Sequence, residues 1–207
     1  MRGKAMSLIM NQLNRLGTDI SSLKALEFFA RKGNWHTLSY ANKVNSIEVW
    51  EIEAKFRNDL IVNIPHSSIR IGNSFEIAKE SQYSNFFNLI VFDNPQGVFG
   101  KYCEHFECLN LTPVLILQSG GLVIFNINKA PFNYDKDSIW AKKRNKYYDT
   151  TDASKLDANF LLNFYEDKFE SLGFRTVFSF EQQRNKEYLS YLVFNLIPIV
   201  KNNKEIN

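Results

Sequence analysis

Three carboxylates in this chain stand where a turn of the backbone would aim them at a ligand. They are Glu27 in ALEFFARKG (25–33), Glu51 in VWEIEAKF (49–56) and Asp93 in NLIVFDNPQG (88–97). Each follows an apolar, strand-like run, and a carboxylate at such a tip accepts hydrogen bonds from hydroxyls or amines. Glu51 suits a ligand with two neighbouring hydroxyls. Asp93 and Asn94 are candidates to orient or deprotonate a substrate, although an Asp before Asn-Pro is equally a turn former. His105 is a candidate base, since imidazole takes a proton near neutral pH. Cys103, His105 and Cys108 do not make a metal site. Only helical spacings of three or four share a face, which leaves two ligands where structural zinc takes four. Lys142, Lys143, Arg144 and Lys146 with Tyr147 and Tyr148 form a basic, aromatic stretch able to hold phosphate or a base. Asp135, Asp137, Asp149 and Asp152 flank it and cancel much of its charge, which favours a plain solvated loop.

The elements that must position these residues alternate in type. Helical spacing covers Met6 to Leu16, with Gly17 as the stop. A helix is also predicted over Asn34 to Val44 with Asn34 as its cap, over Ala54 to Asn63 and over Phe75 to Glu80. Others are predicted over Tyr102 to Leu117, where Pro113 is a break or kink, and over Asp157 to Leu172, ended by Gly173. Strands are predicted at Ala25 to Ala30, Ser46 to Ile52, Ser68 to Gly72, Asn88 to Asp93, Leu122 to Asn126, Arg175 to Glu181 and Tyr188 to Ile197. Lys129 to Ala153 reads as irregular. Alternation of this kind implies an α/β fold, a doubly wound and mostly parallel sheet with helices on both faces. The last two strands have only Gln182 to Lys186 between them. A parallel crossover needs a dozen residues or more, so these two close the sheet as an antiparallel hairpin.

The 207 residues, 44% apolar and with 18 Phe, can bury a substantial core and are expected to form one domain with a frayed tail at 201–207. A net charge of +3 is far from a nucleic-acid-binding signature. Two cysteines within six residues build no disulfide framework, and no apolar run reaches membrane-spanning length. A cytoplasmic location and no membrane partner are expected.

Taken in order, these segments resemble the class I S-adenosylmethionine-dependent methyltransferases over residues 23–197. ALEFFARKG resembles that family's first motif, an acid followed by a glycine-rich turn, with only Gly33 kept and Arg31 and Lys32 in the turn. VWEIEAKF resembles the end of its second strand, IRIGNSFE (69–76) its third-strand segment, NLIVFDNPQG its fourth strand, and LQSGGLVIFNIN (117–128) its Pro-Gly-Gly turn and fifth strand. The resemblance implies S-adenosylmethionine as cofactor. Glu27, Phe29, Ala30, Arg31 and Gly33 would line its loop, Glu51 its ribose, Ile52 its adenine ring, and Asn73 and Ser74 the adenine edge, with Asp93 beside them. The expected activity is methyl transfer to a small molecule or a glycan. Asp93-Asn94-Pro95-Gln96 partly resembles the (D/N)PP(Y/F/W) motif of nucleic-acid amino-methyltransferases but lacks its stacking aromatic, so a nucleic-acid acceptor is less favoured. A further reading is a module of this fold without cofactor.

Overall fold

The computed structural model describes residues 3–93, 108–129, 139–184, 186 and 188–200. Among them, seven strands form one sheet: β1 (Lys24–Phe28), β2 (Ser46–Glu51), β3 (Ser68–Ile71), β4 (Leu89–Phe92), β5 (Gly121–Asn128), β6 (Phe174–Gln183) and β7 (Leu189–Pro198), in spatial order β3-β2-β1-β4-β5-β7-β6. The first five run parallel, and β7 is antiparallel to both β5 and β6. The doubly wound sheet with its terminal hairpin is therefore the one the alternation predicts.

The parallel strands read as near-continuous apolar runs because both their faces are covered. On one face Leu26, Phe28, Trp50, Ile90, Phe92, Val123 and Phe125 form a core with Leu161, Tyr165 and Phe169 of α6 (Ala158–Ser171). On the other, Ala25, Val49, Val91 and Ile124 meet Met6, Ile9 and Leu13 of α1 (Lys4–Arg15) and Leu60 of α2 (Arg57–Asn63). Asp157 caps α6 by accepting from Phe160 N at 2.8 Å. The turn before β5 needs glycine for space. A Cβ on Gly121 would lie 2.6 Å from Asn88 O, and one on Gly120 would meet the Leu196 carbonyl.

Three expectations are corrected. Residues 34–44 hold only the 3₁₀ turn Thr37–Ser39, with no cap from Asn34; the hydroxyls of Thr37 and Tyr40 both donate inward to Glu27. Pro113 lies in the first turn of the short α4 (Thr112–Leu115), after the four-residue α3 (Ser74–Ile77). There a missing N–H costs little, so the proline starts a helix rather than breaking one. The stretch from 129 to 153 contains α5 (Ile139–Tyr147). Its inward side carries Arg144, which is fully buried, so no apolar period marks it.

Candidate functional site

Strand order reverses between β1 and β4, and a ligand crevice in an open α/β sheet lies beyond the carboxyl ends at such a point. Beyond β1 the chain turns through three left-handed residues at alternate positions, Phe29 (φ 62°), Arg31 (φ 52°) and Gly33 (φ 64°). A Cβ costs ~1–2 kcal/mol in that conformation. The backbone thus has the form of a glycine loop although two of the three residues are not glycine. Its ends are tied: Phe29 N donates to Trp50 O (3.1 Å), and Gly33 N to Ala30 O (2.8 Å). A Cβ on Gly33 would meet Leu60 Cδ2 at 3.0 Å and Ile64 Cδ1 at 3.2 Å, so this glycine admits α2 rather than a ligand. The Phe29 ring packs on one core and Ala30 on the other. The Arg31 guanidinium lies over the Phe56 ring, 5.5 Å from its centroid, and Lys32 Nζ is 3.5 Å from Asp59. These side chains are taken up by the fold, and what the loop offers a ligand is its backbone.

The strain has a measurable sign. At an ordinary position alanine is more stable than glycine, whereas in the left-handed region the order inverts. Arg31→Gly is expected to melt above Arg31→Ala, by about 1 kcal/mol in stability. Alanine ahead of glycine in thermal unfolding would show that residue 31 does not hold this conformation.

Glu51 closes β2 and is 4% exposed. Its Oε2 accepts from Arg31 N at 2.8 Å, and its Oε1 from Glu53 N at 2.9 Å. The carboxylate therefore ties the tip of β2 to the loop beyond β1. A carboxylate offers about four lone-pair sites, so each oxygen keeps one for a ligand hydroxyl. Ile52, next in the chain, is 64% exposed, a bare apolar side chain beside the carboxylate. The Gly72 N–H donates to Glu51 O at 2.9 Å and brings the β3 tip alongside. There Asn73 spends Oδ1 on Phe75 N (3.0 Å) as the cap of α3, and Ser74 is buried.

Glu27 and Asp93 belong to a second, buried polar group on the α1 side of the sheet. Glu27 is not paired with Lys24; it accepts from Thr37 Oγ1 at 2.6 Å and from the Tyr40 hydroxyl. Burial first, then the charge of Asp93, push Glu27 up to about 8. Asp93 accepts from the Tyr191 hydroxyl. Burial raises it to about 6, against Tyr191 and Arg184, which lower it. Arg184 Nη2 lies 2.7 Å from His36 Nε2, and its guanidinium stacks over Tyr191 at 5.2 Å. Burial, then Arg184, hold His36 down to about 3. Sequence reading missed Thr37, Tyr40, His36, Tyr191 and Arg184, which come from distant segments. Asn126 was missed as well, although an amide inside the apolar run LVIFNIN marks it, and the structure buries it near the end of β5. Asn94 and His105 lie outside the described residues.

No protein-family model and no curated protein matches the chain. Solved structures do. Fibrillarin, a pre-rRNA processing protein of Methanococcus jannaschii, superposes with TM-score 0.56 at 14% identity, over 86% of this chain and 68% of its own. A putative O-methyltransferase of Nostoc punctiforme gives 0.55 at 20% identity over 93%, and here the chain spans only 56% of the other protein. The N-methyltransferase NodS of Bradyrhizobium japonicum, solved with S-adenosyl-L-homocysteine, gives 0.56 at 14% identity, over 93% of this chain and 88% of its own. The fold is that of the class I methyltransferases.

Within that class I methyltransferase fold, the tips of β3, β2, β1 and β4 are consecutive neighbours, which brings Phe29–Gly33, Glu51–Ile52, Asn73–Ser74 and Asp93 to one edge of the sheet. The basic, aromatic stretch does not present one surface. Arg144 points inward and donates to the carbonyls of Asn128 and Lys129, and Tyr148 is buried against Tyr165 with hydroxyl oxygens 2.7 Å apart. Lys142, Lys143 and Lys146 alone remain exposed as cations there. Among the described residues no cluster of three or more His, Cys, Asp or Glu is placed to hold a metal, and no helix is long and apolar enough to cross a membrane.

Proposed function

We propose that this chain is an S-adenosylmethionine-dependent methyltransferase acting on a small molecule or a glycan. The observation that carries the reading is the Glu51 carboxylate, which ties a left-handed loop beyond β1 to the tip of β2 in a class I methyltransferase sheet. The residues fit the cofactor. Glu51 keeps acceptor capacity for both ribose hydroxyls, exposed Ile52 would cover one face of the adenine, and Asn73 and Ser74 would stand at its edge. The backbone of residues 29–31 would approach the rest of the molecule. Bound there, the sulfonium supplies an electrophilic methyl group.

The chain's own part is to position the acceptor, exclude water and take a proton. Asp93 stands at the β4 tip with one hydrogen bond from Tyr191, so it can accept a second from an amine or hydroxyl. Held at about 6, it can also receive the proton the acceptor gives up. Orientation of the two reactants supplies most of the acceleration in a displacement of this kind.

A second reading, a module of this fold without cofactor, draws on Phe29 and Arg31 at positions where the backbone wants glycine. Titration calorimetry with S-adenosylhomocysteine separates the two. Saturable heat in the micromolar range is expected. Folded protein that gives none at high micromolar ligand leaves the cofactor-free module as the answer.

A further inference from the structure

The polar group around Asp93 is incomplete in a patterned way. Arg184 Nη2 must donate to His36 Nε2, because a guanidinium has no acceptor. The imidazole, neutral at a value lowered to about 3, then carries its proton on Nδ1. That Nδ1–H is buried without a partner, and so is Arg184 Nε. Asn126 is 1% exposed, and neither its Nδ2 nor its Oδ1 has a partner. Tyr191 is the common neighbour: Arg184 lies over its ring at 5.2 Å, the His36 ring packs on it at 5.3 Å, and strand register sets Asp93 and Asn126 beside it. Phe92 pairs with Phe125, which sets position 93 beside Asn126, and Asn126 pairs with Tyr191. Asn126 lies two residues on from Ile124, hence on the same face as Tyr191 and the α1 core.

The charges are unpaired as well. Arg184 lowers Asp93, so each feels the other's charge, yet among the described residues neither makes an ion pair. A cation with spare donors and a carboxylate with spare acceptors, close but unjoined, are the two complements that a molecule carrying both charges would need. Buried polar atoms without partners cost about 1–3 kcal/mol each, so four of them in one group are better explained by a ligand than by packing.

We propose that Asp93, Asn126, His36 and Arg184 form a binding site for a small zwitterion, an amine that carries a carboxylate. The amine takes Asp93 and Asn126 Oδ1. The carboxylate accepts from Arg184 Nε, His36 Nδ1 and Asn126 Nδ2. This deepens the methyltransferase reading and rests on it in one respect, that the zwitterion is the methyl acceptor. S-adenosylmethionine itself carries such a group, so the test must tell the two sources apart.

The full chain is titrated with glycine, β-alanine and L-glutamate, and with acetate and methylamine as half-ligands, while the ring resonances of its three histidines are followed by NMR. At least one of the amino acids is expected to shift His36 and leave exposed His66 in place, with affinity about tenfold above either half-ligand. Arg184→Gln is expected to lose the shift. Asn126→Leu is expected to lose it too while folding at least as well, because it removes a partnerless amide. The amino acid is expected to bind equally with S-adenosylhomocysteine present. Displacement by S-adenosylhomocysteine overturns the proposal, since the site then belongs to the cofactor's own tail. So does a His36 ring that none of the three moves, or that acetate moves as well as they do. If S-adenosylhomocysteine gives no heat while an amino acid still shifts His36, the methyltransferase reading falls and the zwitterion site stands.

Discussion

Replacing Glu51 by alanine is expected to weaken S-adenosylhomocysteine binding by about 100-fold and to loosen the first loop at the same time. Two hydrogen bonds from ribose hydroxyls to a carboxylate are each worth ~1.5 kcal/mol or more, and ~3 kcal/mol corresponds to about two decades of affinity. The loop suffers because Arg31 N and Glu53 N both donate to this one side chain. Arg31 and Glu53 are exposed, so water takes over part of what they lose, and a stability cost of about 1–2 kcal/mol follows. Glu51→Gln separates the two effects. Its oxygen still serves one backbone N–H, while its NH2 faces the other donor and repels it. The glutamine protein is therefore expected to melt closer to the parent than the alanine protein does, yet to bind S-adenosylhomocysteine nearly as poorly. Calorimetry and thermal unfolding on the same samples measure both quantities. An unchanged dissociation constant in the alanine variant would remove Glu51 from the cofactor site and with it the main support for the proposed activity.

The sheet was legible because its signals are local. Apolar runs such as NLIVFD have to be buried strands, and the short link between Gln182 and Lys186 admits only an antiparallel return. The structure moves strand ends by one or two residues, trimming β2, β3 and β4 and extending β5 and β6, and changes no strand's type. Two features were hidden by residue type. Arg144 is buried in α5 beside the small Ala141, so a helix that packs inward looks like a solvated basic stretch. Phe29 and Arg31 hold glycine-like angles, which no reading of side-chain preference would assign to them. The buried polar group was hidden by distance. His36 and Arg184 meet across 148 residues, and nothing in either neighbourhood marks the other. Glu27 shows the consequence. Its place at the end of β1 was apparent, whereas its partners, Thr37 and Tyr40, sit in a segment the spacing reads as a helix.

The burial of Glu27 makes the chain's stability fall between about pH 6.5 and pH 8. Glu27 is raised from 4.5 to about 8 by burial and then by Asp93, with the hydroxyls of Thr37 and Tyr40 pulling the other way. Over that range the folded chain holds a proton that the unfolded chain has released, so stability is complete below the unfolded value and is lost as pH rises. Asp93, raised from 3.8 to about 6, acts in the same direction but has finished by about 6. His36 acts oppositely. Lowered from 6.5 to about 3, it makes stability rise with pH until the unfolded imidazole has lost its proton near 6.5. Between 4.5 and about 6 His36 offsets only one of the two carboxyls and stability still falls; from about 6 to 6.5 it cancels Glu27, and above that Glu27 alone remains. Tyr40 and Tyr191 are raised further above their ordinary range, and they stay neutral here. At ~1.4 kcal/mol per pH unit for one proton, the window amounts to about 2 kcal/mol. Glu27→Gln keeps the shape and cannot ionise. It is expected to hold its urea midpoint from pH 6.5 to 8.5 while the parent's falls, and to overtake the parent near the upper end. Parallel curves for the two proteins would mean that Glu27 is already ionised at neutral pH, held by Thr37 and Tyr40 strongly enough to offset its burial and the charge of Asp93.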